Sequence, residues 1–198
     1  MTDLLVPAVR KGPGVLVAHP WWGLNQAVRD YGAALAREGF PVGLADVFDG
    51  RVVTSIDDAQ RQIETYWERA GGRLSAAISE LAEKTGGPIG GVGFSFGGFH
   101  LLRLLDAKLP LRRVVAYYAT HPLPTVHVPV LAHFAADDPY ESANDMAALA
   151  DALHKAGRPS ASFTYPGTRH WFAEPDRPEY DAAAAALAFG RTIAFLRD

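Results

Sequence analysis

The chain has 198 residues, 48% hydrophobic and 21% charged, enough apolar material for one globular domain around a single core. A formal net charge of −3 leaves no basic surplus, which argues against nucleic acid and anionic membrane surfaces as partners. With no cysteine, the chain cannot use disulfides, thiolate zinc sites or a cysteine nucleophile, so any nucleophilic chemistry falls to an oxygen or a lysine.

Met1 to Pro7 lacks the basic start and long apolar stretch of a signal peptide, and no run approaches a membrane span, so the expected location is the cytoplasm. Pro7, Gly12 and Pro13 allow residues 1–13 at most one brief edge strand or an extended arm. Gly14 to Ala18 is a continuous apolar run of the kind a strand buried on both faces shows. The aromatic loop His19-Pro20-Trp21-Trp22-Gly23 follows. Asn25 can then cap a helix carrying Val28, Tyr31 and Leu35, with Gly39 at its end. Pro41 to Ala45 reads as a second buried strand.

Asp57 and Gln60 form a candidate capping box for a helix through Ile63, Tyr66 and Trp67, which Gly71-Gly72 is expected to interrupt. Helical spacing resumes from Arg73 to Thr85. Ile89 to Phe94, Val114 to Ala119, Val128 to Ala135 and Ser160 to Tyr165 read as further strands. A helix over Glu141 to His154 separates the last two, and an alanine-rich helix from about Tyr180 to Leu196 closes the chain after a loop over Pro166 to Pro178. Strands alternating with helices predict an α/β fold: a mostly parallel sheet of about six core strands with helices on both faces. Ligands of such sheets bind beyond the carboxyl ends of the strands, where His19, Ser95, Asp138 and His170 all fall.

Gly93-Phe94-Ser95-Phe96-Gly97 is a Gly-x-Ser-x-Gly pentapeptide between a strand and a helical pattern, the context of a nucleophile elbow. A serine hydroxyl attacks well only when a base takes its proton and a carboxylate orients that base. In chain order Ser95 is followed by Asp137-Asp138 at a strand end and by His170 after the last strand, the order Ser, acid, His. Among the seven histidines, His121 is the next candidate base. No two of them stand at the i, i+4 spacing with a glutamate between them that favours zinc, so no metal is expected. An oxyanion hole needs two backbone N–H groups: Phe96, after the nucleophile, and Trp21 in the loop after the first core strand, since Pro20 has no N–H.

His19 to Asn25, Gly93 to Gly97, His133 to Pro139 and Tyr165 to His170 together resemble the dienelactone hydrolase family of α/β hydrolases, over about Val15 to Phe172. The resemblance singles out Asp138 as the acid through the Pro139-Tyr140 that follows it, with Asp137 in reserve. That family's usual nucleophile is cysteine, with a glutamate in the loop before the two tryptophans; here Ser95 and Pro20 stand instead. Arg61 matches one of two arginines that hold a substrate carboxylate in the family, whereas Glu174 occupies the other position. Only Thr120 to His127 separate two strands where a lid would be inserted, so no lid domain is expected. An open cleft lined by Trp21, Trp22, Phe96, Tyr140 and Trp171 would suit small esters or lactones, with no cofactor. The alternatives are a thioesterase or acyl-peptide hydrolase, and a binding protein that keeps the fold without turnover.

Overall fold

Seven strands form one sheet in a computed structural model of the chain, which describes residues 2–7, 10–157 and 159–198. They are β1 (Thr2–Leu5), β2 (Val15–Ala18), β3 (Val42–Ala45), β4 (Ile89–Phe94), β5 (Leu111–Tyr117), β6 (Val130–Asp137) and β7 (Ala161–Arg169), in the order β1-β3-β2-β4-β5-β6-β7. β1 is the short arm, running antiparallel at the edge; every other neighbouring pair is parallel. The six parallel strands are those read from the sequence, and β2, β3 and β4 are buried along their whole length, as strands covered on both faces must be.

Among the described residues five α-helices cover the sheet: α1 (Gln26–Arg37), α2 (Ile56–Thr85), α3 (Phe96–Arg103), α4 (Ala143–Ala156) and α5 (Ala182–Arg197), with a 3-10 turn at Leu104–Ala107. α1 and α5 meet on one face, where Tyr31 packs edge-on against Phe189. α2 and α3 meet on the other, through Trp67 and Phe99. Asn25 caps α1 as expected, its side chain accepting from the Val28 N–H. No helix among the described residues is long and apolar enough to cross a membrane.

The structure corrects three boundaries. α2 runs unbroken for 30 residues through Gly71-Gly72, and its N-cap is Ser55, not Asp57. Each glycine costs a helix about 1 kcal/mol relative to alanine. Tyr66, Ala70, Leu74, Ala77, Ile78 and Leu81, all buried, outweigh that cost by packing α2 on the sheet. β5 begins at Leu111 and ends at Tyr117, leaving Tyr118 and Ala119 beyond the sheet. β7 continues through Pro166 and Gly167 to Arg169, because a register shift lets Asp137 and Arg169 pair again after the irregularity.

In register, the strand ends converge. Ala18 lies beside Gly93, Phe94 beside Tyr117, Tyr117 beside His133 and Asp137 beside Arg169. The residues that follow these strands are therefore neighbours in space although far apart in sequence.

Candidate active site

Ser95 leaves β4 with φ 46° and ψ −113°, a conformation L residues rarely adopt, and opens α3 immediately. The turn is held from both sides: the Ser95 N–H donates to the Tyr117 carbonyl at 2.9 Å, and the Ser95 carbonyl accepts from the Phe99 N–H at 2.8 Å. The flanking glycines are required for close approach. A Cβ on Gly93 would lie 2.5 Å from the Gly98 nitrogen, and one on Gly97 would lie 2.4 Å from the Ala18 carbonyl oxygen.

Across the strand ends, His170 Nε2 lies 2.9 Å from Ser95 Oγ, and Nδ1 lies 2.8 Å from both carboxylate oxygens of Asp138. A carboxylate only accepts, so Nδ1 carries the imidazole proton and Nε2 faces the serine hydroxyl as acceptor. The Asp138 side chain is 0% exposed. Its Oδ1 also accepts the N–H groups of Tyr140 and Glu141, at 2.9 and 3.1 Å. The neighbouring Asp137 points outward to Arg169, 3.3 Å away. One residue of strand alternation thus separates a solvent ion pair from a buried hydrogen bond. His121 packs edge-on against Phe99, with no hydrogen bond to Ser95 among the described residues.

Trp21 and Trp171 are close to His170, directly or through Tyr140, whose ring lies 4.9 Å from the imidazole. The aromatic residues do not line an open cleft. Trp21, Trp22 and Trp171 pack on one another with ring centroids 5.2 to 5.8 Å apart, and Tyr140 is the exposed member of the group. Burying that much ring surface is worth more than displaying it. Phe96 turns its ring away, toward Phe48, Trp67 and His100. Arg61 is exposed on α2 and engaged with Asp58. Neither the Trp21 N–H nor the Phe96 N–H donates a hydrogen bond among the described residues. Those residues also contain no group of three or more metal-ligating side chains.

Two further residues belong to this neighbourhood. Tyr118, at φ 37°, lays its ring 4.8 Å from His170, and its hydroxyl donates to Glu174 Oε1 at 2.7 Å. Burial pushes the Glu174 carboxyl up to about 8. The folded protein keeps that proton while the unfolded chain, with an ordinary glutamate, has released it. Over the window from about pH 5 to 8 unfolding therefore releases a proton, and stability falls as pH rises, by up to about 1.4 kcal/mol per pH unit. Glu141, pushed up to about 7 by burial, acts in the same direction. In urea melts across this range Glu174→Gln should lose less stability with pH than the wild type, because its side chain stays neutral. Position 174 stood out in the sequence as the glutamate where an arginine was expected; Tyr118 reads there only as part of the Val114 to Ala119 strand.

The seven-stranded, mostly parallel sheet with helices packed on it and the strained serine turn are those of an α/β hydrolase. The chain belongs to the dienelactone hydrolase family, whose model matches residues 2–198. It is 28% identical to the carboxymethylenebutenolidase of Pseudomonas putida over 208 residues, covering 96% of this chain and 87% of that one. It is 25% identical to "Protein usf" of Aquifex pyrophilus over 208 residues, covering 94% and 88%. Among solved structures, a dienelactone hydrolase-like promiscuous phosphotriesterase from metagenomic libraries superposes with a TM-score of 0.81 at 24% identity, covering 97% of this chain and 87% of that one. The dienelactone hydrolase of Anabaena variabilis superposes with a TM-score of 0.71 at 22% identity, covering 99% and 92%.

Proposed function

We propose that the protein is a serine hydrolase of small carboxylic esters or lactones, working through an acyl-enzyme. The observation that carries the reading is the chain of contacts from Ser95 Oγ through His170 to the buried Asp138. Ser95 Oγ attacks the ester carbonyl carbon as His170 Nε2 takes its proton. The C–O bond to the alcohol then breaks, and the same proton leaves on the alcohol oxygen. Water, deprotonated by His170, attacks the acyl carbon, the Oγ–acyl bond breaks, and the proton returns to Ser95. Trp21 and Phe96 N–H groups are assigned to the oxyanion in both steps.

Two features favour neutral substrates over carboxylated ones. The position four residues after His170 is a buried glutamate, and Arg61 is occupied by Asp58. Tyr140, the exposed ring, would meet an apolar acyl or alcohol group at the rim, with Trp171, Trp21 and Trp22 behind it. The small ester is the only partner the reaction needs, with no cofactor or metal taking part and no role for a membrane or nucleic acid. A panel of small neutral and carboxylated esters and lactones tests the reading. Wild type should hydrolyse the neutral members faster and Ser95→Ala should hydrolyse all of them roughly 10⁶-fold more slowly; equal hydrolysis by both proteins would refute it.

A further inference from the structure

His19 directly follows β2, is 1% exposed, and has two partners that each allow one role only. The Pro20 carbonyl, 2.7 Å from Nδ1, can only accept, so Nδ1 carries the proton. The Val47 N–H, 3.1 Å from Nε2, can only donate, so Nε2 is the bare nitrogen. The tautomer is fixed and the ring is neutral; burial holds its pKa down at about 4. The Phe48 ring, 4.6 Å away, packs against the imidazole and keeps it in place.

The gripped carbonyl belongs to the same planar unit as the Trp21 N–H. In a trans peptide the C=O and N–H point in opposite directions, so a donor that fixes the carbonyl also aims the N–H. The Gly23 N–H is a second donor to Pro20, at 3.1 Å, closing a turn over residues 20–23. This loop lies against the elbow itself: a Cβ on Gly97 would sit 2.4 Å from the Ala18 oxygen and 2.7 Å from the His19 oxygen.

We propose that His19 is a positioning residue for the oxyanion hole, its Nδ1–H clamping the Pro20–Trp21 peptide so that the Trp21 N–H faces the oxygen that Ser95 creates. The inference rests on the serine hydrolase reading and adds a residue to it. His19 does not touch substrate; it acts through the peptide, and through Val47 it ties that peptide to the loop after β3. Without the clamp, rotation about the bonds flanking the peptide exchanges a donor for a carbonyl oxygen at the hole, and the loss of one donor lowers kcat by roughly 10²-fold to 10³-fold.

Asparagine can present an N–H close to the position of Nδ1, whereas glutamine reaches only the position of Nε2. His19→Asn should therefore keep kcat within about threefold, and His19→Gln should lose about 10²-fold in kcat with KM within about twofold. Wild-type kcat in His19→Gln, or equal losses in both variants, would overturn the proposal. A second readout uses the wild type alone. Forming a phosphonate adduct on Ser95 places a strongly polarised phosphoryl oxygen on the Trp21 N–H, which polarises the peptide and strengthens the bond to its carbonyl. The His19 Nδ1 proton should move downfield in the NMR spectrum. An adduct with that proton unmoved would overturn the role of His19 alone, whereas no adduct in the wild type would overturn the hydrolase reading and this inference with it.

Discussion

Ser95→Ala is expected to lower kcat for small esters by roughly 10⁶-fold, the scale on which removing a serine nucleophile acts. Nothing else in the site changes: His170 keeps its bonds to Asp138, and the backbone donors at Trp21 and Phe96 stay where they are. The strained backbone at residue 95 is no worse with alanine, since both residues carry a Cβ at φ 46°. Thermal stability should therefore be nearly unchanged, and the loss should fall on kcat. What survives is the residual catalysis of binding and oxyanion donors, roughly 10³-fold to 10⁴-fold over water.

The second large effect separates two adjacent aspartates. Asp138→Asn should reduce kcat by about 10⁴-fold, equivalent to about 5.5 kcal/mol of transition-state stabilisation. The direction follows from the hydrogen bonds. Oδ1 of residue 138 is held by the N–H groups of Tyr140 and Glu141, so the asparagine carbonyl takes that place and its amide N–H₂ faces His170. Nδ1 must then accept, the imidazole proton moves to Nε2, and the nitrogen facing Ser95 is no longer a base. Asp137→Asn should stay within about twofold of wild type, because it removes only an exposed pair with Arg169. Initial rates for the two variants distinguish the carboxylates; a large loss in Asp137→Asn with none in Asp138→Asn would reassign the acid.

Much of this arrangement was legible in the sequence because its signals are local. Short apolar or β-prone runs alternating with helical segments marked the six parallel strands, and the Gly-x-Ser-x-Gly turn marked the elbow. The order Ser, Asp, His needed only the rule that such sheets bind ligands at their carboxyl ends. The less legible features depend on contacts between distant segments. Gly71-Gly72 reads as a break because its propensity is local, whereas the packing that carries α2 across it involves β2, β3 and β4. Pro166-Gly167 reads as the start of a loop, yet β7 resumes pairing at Arg169. The tryptophans read as a cleft lining because composition does not say whether an aromatic ring faces solvent or another ring. Tyr118 acts through a carboxylate placed by a distant loop, and no spacing in the chain announces it; His19 reads as a strand-end residue, but the contact that fixes its ring comes from Val47, in the loop after β3.

The central claim is that Ser95 is a nucleophile activated within the folded protein, and covalent labelling with a fluorophosphonate tests it most directly. One adduct per chain should form, located on Ser95 by peptide mass analysis, and it should be absent from Ser95→Ala and from wild type unfolded in urea. Folded wild type that stays unlabelled, or that takes the label elsewhere while Ser95→Ala still turns over esters, would contradict the account.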